Sequence, residues 1–97
     1  MKDIRIGGNF ISSLIFKGNI FGENYDANNL SESGIYLITN HAIKNANNLE
    51  WSFLICLKFD LNTTLQFLIQ TDAAVTIWKR KLSPTGYTPN SEWMKIG

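Results

Sequence analysis

Three tryptophans, Trp51, Trp78 and Trp93, and the tyrosine Tyr87 are the side chains of this chain best suited to hold a ligand. A flat ring stacks on the C–H face of a sugar, and neighbouring Asn and Gln amides can bond the hydroxyls. Trp51 follows an Asn-rich stretch (Asn45, Asn47, Asn48), Trp78 stands two residues from Arg80, and Tyr87 lies among Thr85, Gly86 and Thr88. The chemistry on offer is saccharide recognition, and Trp51, Tyr87 and Trp78 are the candidate ligand-binding residues. Each ring also has a packing role open to it, because a Trp with a satisfied N–H fills a core well. For Trp93, packing is the expected role.

Other chemistry is poorly provided for. His41 is the single histidine, which excludes metal sites built on His pairs. Cys56 is the single cysteine, so no intrachain disulfide can form. It sits inside Phe53-Leu54-Ile55-Cys56-Leu57 and reads as a small buried hydrophobe rather than a nucleophile. The acids Asp3, Asp26, Asp60, Asp72, Glu23, Glu32, Glu50 and Glu92 are scattered, whereas a glycosidase needs two carboxylates flanking one bond. Gly7-Gly8 and Gly18 are turn glycines without the following long helix of a phosphate cradle. No catalytic residue, metal or cofactor is expected, and the chain is not read as an enzyme.

Composition narrows the partners. A chain of 97 residues allows one domain, which buries only about 60–70% of its unfolded surface. Charged residues make up 18%, below the roughly 25% usual in soluble domains. Part of the surface is therefore expected to be an intersubunit contact. With a net charge of +1 and no basic stripe, nucleic acid is not an expected partner; Lys79-Arg80-Lys81 reads as a solvated face or a source of local ion pairs. No apolar run reaches the ~20 residues that span a bilayer, and no signal-peptide layout opens the chain. Synthesis in a cytoplasm without export or membrane insertion is the expectation.

The elements that must position these side chains are strands. Residues 1–22 hold an internal repeat, Ile4-Arg5-Ile6-Gly7-Gly8-Asn9-Phe10-Ile11 against Leu14-Ile15-Phe16-Lys17-Gly18-Asn19-Ile20-Phe21. Gly-Asn suits tight hairpin turns, so the repeat predicts a pair of short hairpins. These are marginal alone and should fold only against the rest of the chain, a sister subunit or a docking protein; a polar hinge over 23–34 follows. There Asp26 caps a turn that packs Leu30 inward. Strands are expected over 35–39, 52–59, 63–70 and 75–81, then a last short one within Glu92-Trp93-Met94-Lys95-Ile96. The fold class is all-β, a small antiparallel meander or sandwich. Alternation puts Phe53, Ile55, Leu57 and Phe59 on one face with Leu65, Phe67 and Ile69. That apolar face is expected to pack on the core. The second, mixed face carries Tyr36, Ile38, Leu54, Cys56, Leu68 and Trp78; the N-terminal hairpins or sister subunits must cover it, and sister subunits are favoured.

These segments resemble a known family. Asp26-Ala27-Asn28-Asn29-Leu30-Ser31-Glu32-Ser33-Gly34-Ile35-Tyr36 is similar to the opening of the knob module that ends many bacteriophage tail fibres and pyocin fibres. Leu54-Ile55-Cys56-Leu57 and Leu65-Gln66-Phe67 resemble its apolar strand and its Gln-bearing strand. Val75-Thr76-Ile77-Trp78-Lys79-Arg80 and Ser91-Glu92-Trp93-Met94-Lys95-Ile96 resemble its Arg-bearing strand and its ending. Asn90 departs from the pattern, standing where the family often has a second Trp, and the loop over 82–90 is richer in Pro. The resemblance covers residues 25–97. It implies a homotrimeric knob (residues 23–97) on a virion fibre, of tail or head, that attaches to a host-surface glycan or only caps and braces the fibre. Residues 1–22 would dock it to other virion proteins. Arg80 would then make an ion pair with Asp26 or Glu92, or cap carbonyls.

Overall fold

The structure is a computed structural model and describes residues 16–20 and 25–96. Six strands form one sheet in sequence order: β1 (Phe16–Ile20), β2 (Gly34–Ile38), β3 (Ser52–Asp60), β4 (Thr63–Gln70), β5 (Ile77–Leu82) and β6 (Met94–Ile96). The fold is all-β, and its only described helical element is a 3-10 turn, Ala27–Asn29. From β2 onward every pairing is antiparallel. β1 instead runs parallel to β2, so the sheet is mixed and single-layered rather than a sandwich.

Gly18-Asn19, expected as a hairpin turn, lies inside β1. The register slips between Phe16 and Gly18, and Gly18 takes φ +89. The glycine thus serves a bulge, its other common use in strands. The first copy of the repeat, with its Gly7-Gly8 turn, lies outside the described residues. β5 begins two residues later than expected. Both Asp72 carboxylate oxygens accept from Thr76, at 3.0 Å from its N–H and 3.0 Å from its hydroxyl. Val75 is thereby held in a turn at φ 51.

The larger correction concerns the faces. The register puts Leu54, Cys56, Leu68, Gln66, Thr64, Arg80 and Leu82 on one side, and all of them are buried. This is the mixed face. It is covered by the chain over 25–33 and 39–50, which contributes Ala27, Ile43 and Ala46 to the core, with Leu30 and Leu49 packed beside them. Asp26 caps the 3-10 turn as expected, its Oδ1 accepting the Asn28 N–H at 2.8 Å. The two covering segments meet at a bridge between Asp26 and Lys44. Loop backbone brings carbonyls into the interior, and only a face with polar side chains can satisfy them. Thr64 donates to Ser31 O at 2.7 Å, and Gln66 to Ala27 O at 2.8 Å. An apolar face would leave those carbonyls orphaned.

The fully apolar face is consequently the outer one. Ile35, Leu37, Phe53, Ile55, Leu57, Leu65, Phe67, Ile69, Ile77, Met94 and Ile96 share it by register, and none is buried. Its charged members in β2–β6 are Lys79 and Lys81 on β5 and Asp60, opposite Thr63 at the end of β3, all exposed. Phe59, expected on this face, lies beyond a register slip in β3 and is 81% exposed.

Candidate functional site

On the covered face, side chains from five separate segments join in one network. Gln66, central in β4, donates its amide hydrogens to Ala27 O and to Leu30 O, at 2.8 and 3.1 Å. Its Oε1 accepts Arg80 Nε at 2.7 Å. Arg80 Nη2 reaches Asn28 Oδ1 at 2.8 Å, and the guanidinium lies 4.8 Å from the Trp93 ring centroid. Trp93 donates its indole N–H to Asn45 O at 2.9 Å, and Asn45 Nδ2 donates to Asp26 Oδ1 at 2.8 Å. Burial draws the Asp26 carboxyl upward, but the bonds from Asn45 and the Asn28 N–H, with Lys44 and Arg80 nearby, hold it below its ordinary value. Burial lowers the Arg80 guanidinium, opposed by the charge of Asp26.

Arg80 therefore does not make the expected ion pair. Its direct partners are amide oxygens, and Asp26 acts on it from the far side of Asn28. The ion pair found among the described residues is Lys58–Glu32, 2.8 Å on the surface. Trp93 packs against the core as expected. Cys56 is fully buried, and burial pushes its thiol up to about 11; at neutral pH it is a closed, protonated hydrophobe. His41 lies exposed in a loop.

The candidate ligand residues separate. Trp51 sits 56% exposed at the start of β3. Its backbone takes φ 52, a region uncommon for bulky residues. Hydrogen bonds hold it there. Its N–H donates to Thr39 O at 2.9 Å, and its carbonyl accepts from Thr71 N and Thr71 Oγ1 at 3.0 and 2.7 Å. Trp51 shares a cleft of about 290 Å³ with Glu50, Gln70, Thr71 and Asp72. Trp78 is half-buried against the core rather than presented, and its indole N–H donates to Gln70 Oε1 at 2.9 Å. That bond orients the amide of Gln70, which lines the Trp51 cleft. Tyr87 is 78% exposed, but it lies in the β5–β6 loop, at the opposite end of the sheet. The length of β4 separates it from Trp51, about 23 Å at roughly 3.3 Å per residue. Asn90 accepts the Ser83 N–H at 2.8 Å and ties that loop shut.

Sequence reasoning missed Gln70, Asn28 and Asn45. The signal for Gln70 was a Gln on the face shared with Trp78, one position from a cross-strand tie. Asn28 and Asn45 carry no such signal, because loops full of Asn offer many equivalent partners. No family model, curated protein or solved structure matches this chain.

Proposed function

We propose that this chain is a bacteriophage virion fibre component, of tail or head fibre, whose residues 23–97 form a knob-like, non-catalytic module for attachment to a host-surface glycan. Residues 1–22 dock the knob to other virion proteins. The observation that supports this reading is the network on the covered face. Asp26, Asn28, Gln66, Arg80 and Trp93, residues within the segments that carry the resemblance, bond and stack in one chain of contacts.

The outer apolar face supports the homotrimer this reading requires. Sister copies are its occupants: the face crosses β2 to β6, its charges lie at its margins in Lys79 and Lys81 on β5 and Asp60 at the β3–β4 turn, and interface cores are depleted of charge in this way. Purified full-length protein should therefore scatter light with the mass of three chains and compete with virions for adsorption to host cells. A monomer that leaves adsorption untouched would sink both parts. The second reading is a purely structural attachment protein. It is favoured by the contrast between the broad apolar face and the small open clefts at its ends. A trimer that stays with particles yet never competes for adsorption would select it.

A further inference from the structure

We infer that the Trp51 cleft is the saccharide site and that it takes a neutral hexopyranose rather than an acidic sugar. This rests on the glycan-attachment reading and assigns the residues and ligand class within it. The Trp51 backbone is fixed in a left-handed conformation by three hydrogen bonds to Thr39 and Thr71. A ring carried on strained but fully bonded backbone is presented at low entropic cost, and such strain persists only where its surroundings over-determine it. The ring is largely exposed, as stacking on a sugar requires.

The polar groups below the ring set the ligand's charge. Trp78 engages Gln70 Oε1, which turns the Gln70 Nε2 hydrogens toward the remaining space as donors. Asp72 is held in place by Thr76, each of its oxygens accepting one bond at 3.0 Å. Those bonds keep its carboxyl below the ordinary carboxylate range, and each oxygen retains a lone pair. Glu50 adds a second carboxylate to the same cleft, which no Lys or Arg lines. The held Asp72 carboxylate and the Glu50 carboxylate beside it accept hydrogen bonds from sugar hydroxyls and repel a sugar carboxylate or phosphate. Stacking, hydroxyl-accepting carboxylates and an oriented amide donor together specify an uncharged pyranose ring. A cleft of about 290 Å³ holds one such ring.

The test titrates the full-length protein with methyl glucoside, methyl galactoside and N-acetylglucosamine, then with N-acetylneuraminic and glucuronic acids. Saturation-transfer NMR and the Trp51 indole N–H resonance are the readouts. The expected result is saturation by a neutral sugar, a shift of the Trp51 resonance, and no response to the acids. Trp51→Gly accommodates the left-handed backbone and removes the ring, so the fold should persist while affinity falls about tenfold or more. A response to the acidic sugars at Trp51 overturns the ligand class. Sugar binding that survives Trp51→Gly overturns the site while the glycan reading stands. If host-surface polysaccharide also fails to bind the wild-type protein, the glycan reading itself falls, and this inference with it.

Discussion

Gln66 is a polar residue through which the sheet holds its covering segment. It is fully buried, and it ties β4 to the carbonyls of the covering segment and to Arg80. Gln66→Leu keeps roughly the volume but leaves those carbonyls and the Arg80 Nε–H unmet. Unsatisfied buried groups cost about 1–3 kcal/mol each, so urea unfolding should show a loss of roughly 3 kcal/mol or more. Asp26 and Asp72 act at the acid end of the pH range, and Cys56 and Tyr36 at the alkaline end. The Asp26 pKa is depressed in the folded state, so its contribution is present above the ordinary value of 3.8 and is lost as pH falls through the folded value. Cys56 is raised from 9.0 to about 11. The folded state then keeps a proton the unfolded chain has released, so stability declines as pH climbs from about 9 through 11. Unfolding midpoints measured across pH should fall at both ends, and Cys56→Ala should flatten the decline that begins near 9, leaving the part above 10.0 that Tyr36, its phenol also raised by burial, contributes.

At the scale of elements, Gly18 is the position most sensitive to backbone chemistry. A Cβ there meets nothing within 4 Å, but φ +89 suits glycine. Gly18→Ala should therefore cost about 1 kcal/mol from conformational strain alone, with Gly18→Asn better tolerated; thermal unfolding ranks them. Strands β2 to β6 were legible, whereas β1 was not, because its Gly18-Asn19 reads as a hairpin turn. The alternation of 52–59 and 63–70 marks β3 and β4, and Asp60-Leu61-Asn62 marks their turn. Which face is the core was not legible. Alternation defines two faces, and apolarity points to Phe53, Ile55, Leu57 and Phe67. The deciding residues are Ala27, Ile43 and Ala46, single apolar positions in polar loops, whose coverage depends on where the loops cross. Trp51 was legible as an exposed ring from its loop–strand junction. Its tie to Trp78 through Gln70 needed the register of β4 against β5, in which Leu68 faces Trp78 and Ile69 faces Ile77.

For the whole molecule, the outer face decides the state of assembly. Phe67 lies in β4 with Ile55 on one side and Lys79 on the other. Phe67→Lys adds a charge where a subunit contact would need none. The scattering mass should drop to that of a single chain while the far-ultraviolet circular dichroism keeps its strand signature. A mass unchanged from wild type would place the contact elsewhere. The parallel pairing of β1 carries a different consequence, one of timing. β2 to β6 neighbour each other in space as they do in sequence, and such local hairpins form early. β1 reaches β2 only through the long crossover from Ile20 to Gly34, with buried Ile20 seated beside Ile38. Until that arm arrives, the free backbone edge of β2 can recruit a strand from any other nascent copy. Yield on refolding should therefore fall with protein concentration, and the danger ends when Ile20 locks the edge.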